Sequence, residues 1–525
     1  MSRATRLTWC ALALLLSATG CGPTNGGSRP GGELRVAIAE PRALLPTNVT
    51  EADVVLILHA LYAGLVDYDP TTLAPVNVMA ESITTTDQRT WTVTVKPGWT
   101  FDNGEPVDAD AYLRAWNFAA YGPNAQNGAH FLDRVQGYAD AQAGRADHLS
   151  GLRRLDERRF EVDLAAPFSA FPAMLGAPAF LPMAKACAAD PKACNETPIG
   201  SGPFKMDGRW VHDQRVRVVR NDAYPGPKPV VNAVTFAIYA QMETAYYDLL
   251  AGQVDFVKDM PASKVDEARG RLGRRLVERD SPALRYLGFP TYRKPFDDKR
   301  IRQAISLAID RQAISDAVVG GRFTAAKGFA AAIVPGAAPD RCGYCRLDVD
   351  RARRLLADAG GWPGGKLQLW FPAGSGAELL MQAVGDAIRK NLGIDYELHN
   401  DLRSARYLDV LQGKKVTGLW RLTWVPDYPL LENYLKPIFG TGQSTNYAGW
   451  SNAEFDRLIA AGDSAPDQRE SARNYGEAEQ ILAEELPVMP LWFDRAAMAV
   501  SDRVENLTIH PLTRAIDLIA VRLKG

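Results

Sequence analysis

The chain has 525 residues, with 60 Lys+Arg against 61 Asp+Glu and a formal net charge of −1. The two signs interleave along almost every segment, which argues against a nucleic-acid surface, because phosphate binding needs a field of uncompensated cations. A hydrophobic content of 46% with 23% charged residues excludes extended disorder and a polytopic membrane protein; a single core stops growing beyond about 250 to 300 residues, so two or three lobes are expected.

Residues 1–20 read as an export signal. Arg3 and Arg6 supply a positive start, and Trp9 to Leu16 an apolar run shorter than the roughly 20 residues a spanning helix needs. Ser17-Ala18-Thr19-Gly20-Cys21 resembles the bacterial lipobox, in which the cysteine is lipidated and becomes the first mature residue, although Ala18 stands where Leu or Val is usual. Residues 21–32, rich in Gly, Pro and polar side chains, suit a lipidated Cys21 followed by a flexible tether. Ordinary signal cleavage with a spare cysteine is the alternative.

From Glu33 the pattern predicts a strand over Leu34 to Ile38 and an apolar helix over Val54 to Leu65. Trp91, Val93 and Val95 alternate on one strand face, Asn103-Gly104 makes a tight turn, and Asp108 caps a helix running to Ala120. Strands follow at 160–164, 215–220 and 233–239, with helices at Glu243 to Ala251 and Ile301 to Val318. Helical spacing returns at 348–359, 378–392 and 472–485, and strands are expected at 366–371 and 395–398. No period of about 20 to 50 residues recurs, so the class is α/β with mixed sheets rather than a solenoid or propeller.

Cysteine usage agrees with export. Besides Cys10 and Cys21 there are two close pairs, Cys187 with Cys194 and Cys342 with Cys345. Local disulfides in an oxidising compartment account for both pairs. A four-thiolate metal site would need to join pairs about 150 residues apart with no flanking His, and a redox CxxC lacks a thioredoxin-like surround. No HExxH, GxxxxGK[ST], GxSxG or strand-following glycine fingerprint occurs, and the six histidines are scattered singly, so no catalytic residue and no metal ligand is assigned.

Several segments together resemble the extracytoplasmic oligopeptide- and dipeptide-binding proteins of ABC importers. They are Leu61-Tyr62-Ala63-Gly64-Leu65-Val66, Phe101 to Asp110 within the Trp91 to Asp110 stretch, Pro198-Ile199-Gly200-Ser201-Gly202-Pro203-Phe204, Arg220 to Tyr224, Ala251 to Asp255, Pro295 to Arg311, and Pro487-Val488-Met489-Pro490-Leu491. Most have a structural reading first. Gly200 and Gly202 suit positions of positive φ or a fixed bend, and Asp297-Asp298 suits a helix start.

The resemblance implies a type II periplasmic-binding-protein-like α/β fold with two main lobes and an extra domain. Lobe I would take residues 33–60, 182–283 and 491–525, lobe II residues 61–181, and lobe III residues 284–490. Lobes I and III would close on a ligand by hinge bending at the crossing strands. The implied function is a non-catalytic, lipid-anchored receptor on the outer face of the cytoplasmic membrane. It would need no cofactor, act as a monomer, capture short peptides and deliver them to the transmembrane subunits of an ABC permease.

Within Arg421-Leu422-Thr423-Trp424-Val425-Pro426-Asp427-Tyr428 the resemblance maps the carboxylate that meets a ligand α-amino group onto Asp427. An ammonium entering a poorly hydrated cleft must be paired, and a charge-assisted hydrogen bond is about twice as strong as a neutral one. Arg421 matches an arginine near the ligand carboxylate in some oligopeptide binders, and Trp424 and Tyr428 could wall the cleft. Read without the resemblance, Asp427 could instead be an internal ion pair or a turn residue after Pro426, Arg421 could bridge lobes or sit on a solvated strand, and the two aromatics could be core. The family's acidic-Pro pair is missing after Tyr428. Gly288 stands where some oligopeptide binders carry an acid, and Pro290 where Asn is common. These departures leave open the same scaffold with a non-peptide solute, such as nickel, heme, an oligosaccharide or an opine-like compound, and an exported hydrolase is a third reading.

Overall fold

The computed structural model describes residues 31–49, 52–338 and 340–524. The export signal, Cys21 and all of the tether before Gly31 lie outside the described residues.

Three regions are built around separate cores. In the base, the strand Glu33–Ile38 lies parallel to Ala233–Ile238 and to Phe256–Val257, and Arg215–Arg220 and Phe204–Met206 extend the sheet antiparallel beyond Ala233–Ile238. Leu34, Val36, Phe204, Val216 and Val234 are buried on it together with Ile57 and Leu61 of the helix Ala52–Leu61. That helix stops four residues short of the expected Leu65. The Leu61 carbonyl accepts instead from Gly202 N at 2.8 Å. A Cβ on Gly200 would lie 2.0 Å from Leu61 O and one on Gly202 2.5 Å from Tyr62 N. Neither glycine has positive φ. Of the two readings the sequence left open, positive φ is excluded, and close backbone approach is what requires both glycines.

The insert is a four-stranded antiparallel sheet in the order Ala80–Thr85, Thr90–Val95, Arg159–Asp163, Leu152–Arg154. Trp91, Val93 and Val95 point into its core, as the alternation requires. The helix Ala109–Ala120 begins where Asp108 accepts from Ala111 N, and its Tyr112 and Trp116 pack on Phe160 with ring centroids 5.9 and 5.5 Å apart. Cys187 and Cys194 form a disulfide with Cα atoms 5.1 Å apart at the edge of this core.

Base and distal regions share one sheet. Two strands of 13 residues, Leu276–Gly288 and Val488–Val500, run antiparallel through both. Leu276 to Asp280 pair with Ala499 to Arg495 in the base. Leu284 to Gly288 pair with Phe493 to Val488 on one side and with the strand Leu419–Trp424 on the other, in the distal region. The register breaks between Asp280 and Leu284, at Ser281-Pro282-Ala283. Ser281 to Ala283 have no strand partner, and such an irregular stretch is where bending disturbs fewest hydrogen bonds.

In the distal region Leu367–Trp370 and Tyr396–His399 lie parallel beyond Leu419–Trp424. The helix expected over Ile301 to Val318 is two helices, Lys299–Leu307 and Arg311–Val319, capped by Asp298 and Asp310. Arg311 explains the break. Its buried guanidinium donates to the Ser306 and Ile309 carbonyls freed there and to Pro490 O at 2.7 Å. Burial pulls its pKa down to about 9, against a smaller opposing pull from the Asp310 carboxylate. Arg302 likewise ties Phe296 O to Glu485 O, so this stretch of the resemblance holds scaffold. Cys342 and Cys345 are also disulfide-bonded, with Cα atoms 5.3 Å apart. Among the described residues no helix is long and apolar enough to cross a membrane.

Candidate functional site

The strand Leu419–Trp424 ends at Trp424, and the chain turns through Val425 and Pro426 to Asp427 at the junction of all three regions. One cavity of about 250 Å3 is lined by Val55, His59 and Thr513 of the base, Tyr68 and His130 of the insert, and Val425, Pro426 and Asp427 of the distal region. A second, of about 410 Å3, lies between insert and distal region and is lined by His130, Asp133, Trp424, Asp427 and Tyr428 among others. A third, of about 290 Å3, continues from the first past His59 and Tyr68 to Asp67 and His510. Asp427 lines the first two. Volumes of this order match small-ligand clefts, typically about 300 to 1,000 Å3.

Asp427 has no ion-pair partner among the described residues. Its backbone N–H donates to Asn433 Oδ1 at 2.9 Å, which fixes the turn. Burial raises its carboxyl pKa, His130 and the Asn433 side chain oppose the rise, and the neighbouring Asp133 carboxylate adds to it. Val425 beside it is 60% exposed, an apolar side chain open to the cavity. The site is therefore a half-buried, unneutralised carboxylate in a part-apolar gap, and a cation is what it lacks.

Arg421 lines none of the three cavities. Its backbone pairs with Leu287, its Nη2 reaches Thr423 Oγ1 at 3.4 Å, and its carbonyl accepts from the Tyr407 hydroxyl at 3.0 Å. Burial and the adjacent Arg285 pull its pKa down to about 10. Arg285 has its own partner in Asp494, while Arg421 has no carboxylate within ion-pair distance among the described residues. Trp424 is half-buried on the wall of the larger cavity, with an indole N–H that finds no acceptor. Tyr428 lines the same cavity and packs into the insert core, donating to Glu432 Oε2 at 2.8 Å.

A cluster that sequence reasoning missed stands behind Asp427. Arg134 of the insert crosses to the distal region and pairs with Glu432 and, at 3.2 Å, with Asp463. The side chains are 15%, 1% and 7% exposed. Burial opposes the Arg134 charge, yet Glu432 and Asp463 together hold its pKa well above the usual value; Glu432 in turn is pushed up by burial. Lys436 and the Tyr475 hydroxyl complete the shell of Asp463 at 2.8 and 2.7 Å, and Arg134 stacks 3.9 Å over the Phe168 ring. Residues 134, 432 and 463 are far apart in the chain, so spacing carried no signal. Gly288, where an acid was considered, faces no cavity wall: a Cβ there would sit 2.0 Å from the Trp420 ring. Among the described residues no three His, Cys, Asp or Glu side chains gather as a metal site.

Comparison with known proteins agrees with this architecture. The family model of bacterial extracellular solute-binding proteins, family 5, middle, matches residues 74–446. The oligopeptide-binding protein OppA of Bacillus subtilis is 26% identical over 514 residues, covering 91% of this chain and 92% of its own. The unliganded open form of the periplasmic murein tripeptide-binding protein MppA superposes with a TM-score of 0.83 at 23% identity, covering 96% of this chain and 99% of MppA. Haemophilus influenzae OppA in complex with the peptide RPPGFSPFR gives 0.74 at 22% identity, covering 95% and 100%. These are binding proteins rather than enzymes, and family members act outside the cytoplasm. By the family model and by its fold, the chain belongs to the bacterial extracellular solute-binding proteins of family 5.

Proposed function

We propose that this protein captures short peptides in the gap between its three regions and hands them to an ABC permease. The observation that carries the reading is Asp427, an unpaired carboxylate at the meeting point of two cavities, suited to a ligand's α-ammonium. Arg421 is the complementary proposal for the far end. It is a half-buried guanidinium with no carboxylate in ion-pair distance among the described residues, and an incoming carboxylate would offset the burial that depresses it. Arg421 and Asp427 are six positions apart, so even a fully extended chain would put their Cα atoms at most about 20 Å apart, which limits a peptide held at both ends to about six residues. Trp424 and Tyr428 wall the Asp427 end.

On this reading the base, insert and distal regions are lobes I, II and III with the boundaries given above, and closure bends the two long strands at Ser281 to Ala283. The remaining proposals are cleavage of the export signal, lipidation of Cys21, anchoring on the outer face of the cytoplasmic membrane, and a monomer that works without catalysis. The test is to unfold the purified protein, identify by mass spectrometry what is released, and titrate the refolded protein with a tripeptide and its N-acetyl derivative. Release of peptides, and capture of the free-amine form alone, supports the reading. Release of a heme, sugar or metal with no peptide binding, or steady cleavage of the peptide, contradicts it.

A further inference from the structure

The larger cavity at Asp427 carries an unbalanced charge. Its charged lining residues are Asp133, Arg134, Asp427, Glu432 and Lys436, with His130 beside them. Both cations are already committed, Arg134 to Glu432 and Asp463, and Lys436 to Asp463. Those four groups sum to zero. Asp133 and Asp427 are left over, one on the insert and one on the distal region, and neither makes an ion pair among the described residues. The Asp133 side chain is open to water, so a ligand can reach it. Its surroundings nevertheless disfavour its charge: burial pushes its pKa up, while Arg134, Lys436 and His130 offset part of the rise. Asp427 lies half-buried and Asp133 at the open rim of the same cavity, and Asp133 adds its repulsion to the burial of Asp427.

Resting on the peptide reading above, we propose that the cargo is cationic at two points: a peptide whose first residue has a basic side chain, its α-ammonium on Asp427 and its side-chain ammonium on Asp133. Asp427 and Asp133 both border the 410 Å3 space, and the proposal seats the side chain of the first residue there. A second ammonium there removes the repulsion between the two carboxylates and meets no free cation. A neutral side chain leaves Asp133 uncompensated, and an acidic one adds a third negative charge. Asp133 is therefore a specificity-determining residue and Asp427 the general one.

The test is calorimetric titration of the full mature protein with Lys-Ala-Ala, norleucine-Ala-Ala and Glu-Ala-Ala, norleucine being lysine's neutral counterpart in length. The expected result is that Lys-Ala-Ala binds about 10- to 100-fold tighter than the norleucine peptide, the range of one charge-assisted contact, with Glu-Ala-Ala weakest. In Asp133→Asn the lysine advantage over the norleucine peptide falls to about twofold or less. Asp133→Ser gives a second variant free of an amide's own hydrogen bonds. Equal binding of the lysine and norleucine peptides by the unaltered protein, or a lysine advantage that survives both variants, overturns the inference and leaves the peptide reading standing. Binding of none of the three overturns both.

Discussion

The distal region is joined to the rest of the molecule in two chemically different ways. To the base it is joined by backbone, through the strands Leu276–Gly288 and Val488–Val500 that continue from one region into the other. To the insert it is joined mainly by side chains, Arg134 on Glu432 and Asp463 and Gln88 Nε2 on Ala465 O at 2.7 Å, with one backbone bond from Ser169 N to Asp463 O, also at 2.7 Å. A ladder interrupted at Ser281 to Ala283 can bend without coming apart. An ionic contact either holds or lets go, because its buried charges tolerate no half-open state. The first behaves as a hinge and the second as a latch. The helix Glu432–Phe439 touches both through consecutive residues: Glu432 binds Arg134, Asn433 holds the Asp427 turn, and Tyr434 donates to Pro282 O at 2.5 Å, in the register break itself.

The contrast breaks most directly at Arg134. Arg134→Met leaves Glu432 and Asp463 with Lys436 as their one remaining cation, and breaking a buried pair costs about 3 to 5 kcal/mol. Hydrogen exchange should show lost protection on the helices Glu432–Phe439 and Ala453–Asp463, with the strand Glu33–Ile38 unchanged. Equal protection in both would show that the latch holds nothing.

Tyr434→Phe sharpens the comparison at the other joint. It leaves the Pro282 carbonyl without its donor at a cost of about 1 kcal/mol, which speeds exchange of the Ser281, Ala283 and Leu284 amides roughly fivefold. A change confined to the insert would mean that the helix does not serve the hinge.

The smallest effect expected is with pH. The Asp427 carboxyl must be ionised to hold an ammonium, and its pKa in the free protein is raised, so affinity for a free-amine peptide falls as pH drops through that raised value, earlier than for an ordinary aspartate. It falls again above about pH 8 as the peptide amine loses its proton. In the empty protein the sign is reversed: a raised carboxyl favours the folded state at low pH, and that contribution is lost as the group ionises. Titration calorimetry across pH 4.5 to 9 checks both limbs. A flat profile on the acid side would detach Asp427 from binding.

The sequence reads well where a local rule acts alone. Asp108 and Asp298 cap the helices they were expected to start, and Trp91, Val93 and Val95 alternate into a core. It misleads where a distant group intervenes. The helix at Ile301 to Val318 breaks because Arg311 recaptures the carbonyls, although Ala308 and Ile309 continue the apolar pattern across the gap. The long strands escape notice because Glu278-Arg279-Asp280-Ser281-Pro282 is polar where the chain passes between regions. Asp427 was found through a resemblance. Asp133 and Arg134, adjacent in sequence, differ in role only because Glu432 and Asp463, some 300 residues on, take one and leave the other.

The central claim, an amine seated on Asp427 in the gap, is tested most directly by a cycle: a tripeptide and its N-acetyl derivative, each titrated against the unaltered protein and Asp427→Asn. The account requires a coupling of at least about 2 kcal/mol, as for close charge pairs, with the acetylated peptide binding both proteins equally weakly. Losses that simply add, acetylation weakening the Asp427→Asn protein as much as the unaltered one, would contradict it.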